Sequence, residues 1–206
     1  MGSGNIKKQK NSLKIGITGI FGSGKTTVSS IFKKNGIPVI SCDDIVHNLL
    51  KKKEIINKIS LVFGKDVINK GKIDRQRLSN IVFSNNKERK KLEMILHPYV
   101  FKEIDKKLLD YSRKKSIIAI EIPLLFETKS EKLVDKIVVV SASHQKISQR
   151  LEGRFSKKEI KERWNAQIPL REKEKKADYV IDNSGFYSKT FQQVKDIIKK
   201  LKVLTE

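Results

Sequence analysis

The chain has a single cysteine, Cys42, in 206 residues. One thiol can form neither an intrachain disulfide nor a cysteine metal cluster, and such sparing use suits a reducing cytoplasm. Long apolar runs are missing, so no membrane-spanning segment is expected. Tryptophan occurs once, at Trp164, and aromatics total 7%, too few to interleave with the basic runs as a base-stacking surface requires. Acidic residues are scarce: 23 against 45 Lys and Arg leave a formal charge of +22. The excess is spread rather than focused. Lys51-Lys52-Lys53, Lys106-Lys107, Lys157-Lys158 and Lys199-Lys200 fall in separate helical patterns, mostly opposite apolar positions, as on solvated faces. Specific nucleic-acid binding is therefore not expected, whereas a general attraction of anionic nucleotides is. The start, Met1 to Lys10, lacks an apolar signal core, and residues 1–12 read as a flexible basic tail.

What is present is concentrated in Gly19-Ile20-Phe21-Gly22-Ser23-Gly24-Lys25-Thr26, which fits G-x-x-x-x-G-K-[ST]. An apolar strand pattern, Leu13–Thr18, precedes it, and Val28, Ile31 and Phe32 follow on one helical face. Gly19, Gly22 and Gly24 let backbone N–H groups, with that of Ser23, turn toward phosphate oxygens. The helix beginning near Gly24 aims its free N–H groups and dipole at the same point. Lys25 supplies a mobile cation, and the Thr26 hydroxyl suits Mg²⁺.

Further strands are expected at Pro38–Ser41, Ser116–Ile122, Lys136–Ser141 and Tyr179–Asp182. Ile117 to Ile120 and Ile137 to Val140 are continuous apolar runs, as in strands covered on both faces of a parallel sheet. Alternation with helical patterns predicts an α/β fold, a five-stranded parallel P-loop core with ligands at the carboxyl ends of its strands. Gly36 suits the left-handed position that ends the first helix. A mostly helical insert occupies about 46–114. Asp74 reads as an N-cap there, a helix from Asn85 or Asn86 is expected to stop at His97-Pro98, and Tyr99–Tyr111 reads as another. A second helical excursion, about 144–176, carries Arg150, Arg154, Arg163 and Arg171 and has the makings of a lid. The last helix, Ser188 to Leu204, presents Phe191, Val194, Ile197, Ile198 and Leu201 to the core.

Phosphoryl transfer needs cations around the moving group and an acid near the acceptor hydroxyl. Asp43 and Asp44 follow the second strand. Asp43 is a candidate for deprotonating the acceptor, while either residue also suits a helix N-cap. Arg150 and Arg154, four apart on an expected helix, share a face that suits a triphosphate, with salt bridges to Glu152 or Glu159 as the other reading. Glu121 ends the third strand and suits Mg²⁺, or the cap of the following segment. His47, His97 and His144 have no zinc-ligand spacing, and Cys42 has no histidine partner for nucleophilic catalysis.

Taken in order, the motifs resemble those of the dephospho-CoA kinase family over about residues 13–203. The P-loop is followed by Val39-Ile40-Ser41-Cys42-Asp43 with His47, then His97-Pro98, then Pro123-Leu124-Leu125-Phe126-Glu127. Arg150, Arg154, Gln167, Pro169, Lys173, Ala177-Asp178 and Ile181-Asp182-Asn183-Ser184-Gly185 follow. The resemblance implies a P-loop kinase core with a helical CoA-binding insert and a lid, in which ATP with Mg²⁺ phosphorylates the ribose 3′-hydroxyl of dephospho-CoA. It implies that Asp43, Lys25 and Arg154 are catalytic. It assigns Gly19, Gly22, Ser23, Gly24, Lys25, Thr26, Thr27, Arg150, Arg154, Asn183 and Gly185 to ATP, the last two toward the adenine. Asp43, His97, Leu124, Phe126 and Glu127 fall around the acceptor, and Thr26 and Glu121 at the metal. Two departures stand out: Ser41 where the family commonly has a second Asp, and Ile20-Phe21 in place of a Gly-Ile pair, read as near-neutral. A kinase of another nucleotide or small metabolite, and a basic NTP-dependent nucleic-acid-binding protein, are the alternatives.

Overall fold

The computed structural model describes residues 12–205. The strands are β1 (Leu13–Thr18), β2 (Val39–Ser41), the short β3 (Ile68–Asn69) and β4 (Lys72–Ile73), β5 (Ile117–Glu121), β6 (Lys136–Ser141) and β7 (Tyr179–Asp182). Among the described residues, five form one sheet in the order β2-β5-β1-β6-β7, every pair parallel. The helices are α1 (Lys25–Lys34), α2 (Cys42–Leu49), α3 (Lys53–Phe63), α4 (Arg75–Ser84), α5 (Asn86–Ser112), α6 (His144–Leu151), α7 (Lys157–Asn165), α8 (Leu170–Lys175) and α9 (Tyr187–Val203). None is long and apolar enough to cross a membrane.

The continuous apolar runs are explained by two covered faces. Ile117 and Ala119 pack with Val28, Ile31 and Phe32 of α1 and Val194, Ile198 and Leu201 of α9. Ile118 and Ile120 point the other way, into a cluster with Ile45 and Leu49 of α2 and Ile104 of α5. All four are at most 4% exposed, so each strand position buries a branched or small apolar group.

Local signals set most helix ends. Gly36, at φ 81°, donates its N–H to Lys33 O at 3.0 Å and closes α1. Asp74 caps α4 by accepting from Arg77 N at 3.0 Å, and Asn85 caps α5 by accepting from Lys87 N at 2.9 Å. Ser156 and Glu159 form a reciprocal capping box at the start of α7. At α2 the cap is Ser41, whose Oγ accepts from Asp44 N at 3.1 Å. Neither Asp43 nor Asp44 is used for that purpose.

Two expectations are corrected. No helix break occurs at His97-Pro98: α5 runs 27 residues with Pro98 inside it. Leu96, Val100 and Ile104 are buried along that helix, and their packing outweighs the lost hydrogen bond. Nor do Arg150 and Arg154 share a helix. α6 ends at Leu151, Gly153 turns the chain at φ 72°, and Arg154 lies beyond the turn. The tight β3–β4 hairpin, with Lys70 and Gly71 both at positive φ, was also not read from the sequence. Of the tail expected over 1–12, residues 1–11 lie outside the described residues. Ser12 is buried and donates its hydroxyl to Lys115 O at 2.6 Å.

Replacing the α2 cap tests this account of the Ser41–Asp43 turn. Ser41→Ala should lower stability by about 1 kcal/mol, a fall in Tm of about 2–4 °C for a chain of this size. Ser41→Asp, which can also cap, should keep the wild-type Tm in a calorimetric scan.

Candidate active site

Sheet register brings the site together. Glu121 pairs with Ser41 on one side and Ile17 on the other. The ends of β5 and β2 and the entrance to the P-loop therefore lie side by side at the carboxyl edge of the sheet, where an open α/β sheet binds ligands.

The loop is held tightly from below. Asn183, 3% exposed, donates its side-chain amide to Ser23 O at 2.8 Å and accepts from Thr190 Oγ1 at 2.9 Å. Arg150 adds bonds to Ser23 O at 3.2 Å and Asn183 O at 2.6 Å. Gly24, at φ 92°, lies so close that a Cβ there would collide with Asn183 Nδ2. The structure thus sets the side chains of Asn183 and Arg150 against the loop backbone. Gly185 lies on the exposed stretch after β7, where Ser184 Oγ accepts from Ser143 N at 2.9 Å.

Lys25 Nζ curls over the loop and donates to Gly19 O and Ile20 O, each at 3.1 Å. Burial lowers its pKa to about 8, although Glu121 and Asp43 pull it back up. Glu121 is 6% exposed, and burial raises its carboxyl above the ordinary value. The Thr26 hydroxyl is 3.5 Å from Glu121 Oε1. The segment after Glu121 forms turns rather than a helix, so Glu121 has no helix there to cap. Thr27 lies within the first turn of α1.

Asp43 sits in the first turn of α2, open to the cleft. Surrounding protein strips part of its hydration and raises its pKa, with Asp44 adding to the rise and Lys25 and Arg75 opposing it. Arg75 NH1 is 2.7 Å from His47 Nδ1, which ties the start of α4 to α2 beside Asp43. Cys42, next to Asp43, has its thiol pushed up to about 12 by burial, so it is no nucleophile. Arg154 is exposed, and among the described residues its guanidinium has no ion pair or hydrogen bond.

The residues expected around the acceptor divide. His97 is half-buried in α5 with its ring 5.4 Å from that of Phe101, and Leu124 is half-buried. Phe126 is 5% exposed and belongs to the core. Glu127 Oε1 accepts from Ile168 N at 2.8 Å and pairs with fully buried Lys173 at 2.7 Å, which ties the β5 loop to α8. Burial lowers the Lys173 pKa, opposed by Glu127.

Sequence reasoning missed Arg75 beside Asp43, placed Arg163 only among the arginines of the lid, and undervalued Phe21. The Phe21 backbone is gripped at both ends: its N–H donates to Gln167 Oε1 at 2.8 Å, and its carbonyl accepts from Trp164 Nε1 at 3.2 Å. The one available signal was a large aromatic inside a glycine-rich loop, which needs a pocket to cover it.

The family model described as dephospho-CoA kinase matches residues 13–188. A dephospho-CoA kinase of Bacillus thuringiensis subsp. konkukian is 40% identical over 195 residues, covering 92% of this chain and 98% of its own. A Thermus thermophilus protein of known structure superposes with a TM-score of 0.80 at 32% identity, over 93% of this chain and 99% of its own. A dephospho-CoA kinase of Campylobacter jejuni gives a TM-score of 0.61 at 28% identity, over 94% and 98%.

The depressed Lys25 pKa generates a pH prediction. A polyphosphate favours the charged ammonium, so Lys25 titrates higher when nucleotide is bound than its free value of about 8. Below that value Lys25 is charged in both states and contributes no pH dependence. Above it, binding takes up a proton and weakens by up to about tenfold per pH unit. Calorimetric titration with ADP at increasing pH, in buffers of different ionisation heat, should show this slope and the proton uptake. Lys25→Arg, whose cation does not titrate, should remove both. A flat wild-type profile would mean an ordinary lysine at residue 25.

Proposed function

This chain belongs to the dephospho-CoA kinase family, and on that premise we propose that it transfers the γ-phosphate of ATP to the ribose 3′-hydroxyl of dephospho-CoA, giving coenzyme A and ADP. The observation that carries the reading is the sheet register that sets the end of β2, with Asp43 two residues on, beside the entrance to the P-loop that carries Lys25, in a chain with family motifs along its length. The segment α2–α5 serves as the acceptor-binding insert and α6–α8 as the lid.

The P-loop N–H groups and the α1 terminus hold the outer phosphates. Lys25 stays charged against them and balances the negative charge that moves toward the leaving ADP oxygen. Asp43 accepts the proton of the 3′-hydroxyl as its oxygen bonds to the γ-phosphorus and the bond from phosphorus to the bridging oxygen breaks. Its raised pKa makes it a stronger base than an ordinary aspartate. Arg154, whose guanidinium is without partners among the described residues, is available to the transferring group when the lid closes. Thr26 and Glu121 are hard oxygen donors of the kind Mg²⁺ takes. Among the described residues no cluster of three or more His, Cys, Asp or Glu could hold a metal by itself. Phosphate and water would complete the coordination, and the ion would supply charge neutralisation. The cytoplasm is the compartment that the lone cysteine suits.

Turnover tests the acceptor. ATP consumption should depend on dephospho-CoA and not on AMP, shikimate or RNA; no turnover with dephospho-CoA would overturn the reading. Asp43→Asn should lower kcat about 10²–10⁴-fold, the usual worth of a positioned base, with Tm unchanged because Ser41 supplies the cap. Arg154→Ala should lower kcat more than it raises KM for dephospho-CoA. An effect confined to that KM would move Arg154 to the acceptor side.

A further inference from the structure

Arg163 is not used by the mechanism above, yet it lies where three parts of the molecule meet. Its guanidinium carbon is 4.9 Å from the ring centre of Phe21 in the P-loop, 4.4 Å from that of Phe83 in α4, and 5.1 Å from that of Phe155 between α6 and α7. Phe21 and Phe155 meet edge to face at 5.0 Å. Arg163 also donates from NH2 to Ser79 Oγ of α4 at 3.2 Å. The side chain has no carboxylate within ion-pair distance among the described residues, and its Nε is buried without a hydrogen-bond partner. Burial lowers its pKa. A cation kept in such a place is costly, and the aromatic faces around it, with the more distant charges of Glu159 and Glu162, offset that cost.

The neighbours give the position its meaning. On the loop side, Phe21 is fixed by Trp164 and Gln167, which closely follow Arg163 in the chain. The next residue, Gly22 at φ 83°, packs against Ile147 and Leu151 of α6. Loop and lid therefore form one packed unit. Links from the insert to the lid include Gln76 to Glu159 at 3.3 Å and Arg89 to Ala166 O at 3.0 Å. Neither reaches the loop. Among the described residues Arg163 touches loop, lid and insert together.

We propose that Arg163 is a positioning residue that couples the two substrate sites: seating of the acceptor against α2–α5 sets Phe83 and Ser79, and Arg163 passes that setting to Phe21 and so to the phosphate-binding loop. The inference rests on the kinase reading above. Coupling of this kind is reciprocal, so each substrate tightens binding of the other by the same factor.

The test is a thermodynamic cycle by calorimetry on the full chain. The affinity of a non-hydrolysable ATP analogue is measured with and without dephospho-CoA, and that of dephospho-CoA with and without the analogue. The wild type should show mutual tightening of at least about fivefold, the low end for coupled sites. Arg163→Met should bring that factor to about one while each separate affinity stays within about threefold. Arg163→Lys, which keeps a cation over the rings, should keep part of it. Phe83→Leu tests the insert side independently and should lose coupling as Arg163→Met does. Wild-type sites that bind both ligands independently, or an Arg163→Met protein with undiminished coupling, would overturn the proposal. A wild type that fails to bind dephospho-CoA at all would overturn the kinase reading and this one with it.

Discussion

One buried amide determines where the donor half of the site stands. Asn183, at the end of β7, has one side-chain bond to Ser23 O and one from Thr190. Inside a core such a group must be fully paired, so its position is narrowly set by both neighbours. Thr190 belongs to α9 and Ser23 to the P-loop. The bond network thus ties the phosphate loop to the last helix, and the close approach at Gly24 leaves no room for a side chain there. Because α9 packs on the sheet beside α1, the same constraint aligns the α1 terminus with the strand ends at Glu121 and Ser41, just before Asp43.

A second layer of order is electrostatic. Lys25, Glu121, Asp43 and Lys173 share one partly desolvated region, and each shifts toward its neutral form there. Alternation of sign keeps the cluster affordable. Lys25 is supported by Glu121 and Asp43, and Lys173 by Glu127. In such surroundings added negative charge from phosphates has more effect than it would in water. The basic excess of the chain, spread over its helices, attracts anions in general.

Much of this was legible because it is local. Strand cores, the P-loop, the cap at Asp74, the helix start at Asn85 or Asn86, and the glycine at 36 are each encoded within a few residues. Pro98 was misread because its effect depends on tertiary packing along α5, which no local window contains. A helical period continued through Gly153 places Arg154 on the wrong element, because the chain turns there. Asn183 was noted, but its burial under the loop depends on Ser23, which is 160 positions away. Arg163 and Phe21 were invisible as partners for the same reason: the rings around the cation come from residues 21, 83 and 155. Ser41 shows the reverse case. It looked like a lost acid and proved to be the cap that leaves Asp43 free to face the cleft.

The central claim is that Asp43 meets the acceptor hydroxyl opposite the nucleotide held by the P-loop. A crystal structure with a non-hydrolysable ATP analogue and dephospho-CoA bound tests it most directly. The account predicts the ribose 3′-hydroxyl within hydrogen-bond distance of the Asp43 carboxylate and in line with the γ-phosphate, with Lys25 turned from the Gly19 and Ile20 carbonyls to the phosphates. A ribose bound elsewhere, with Asp43 facing solvent and Lys25 still on the loop carbonyls, would contradict it.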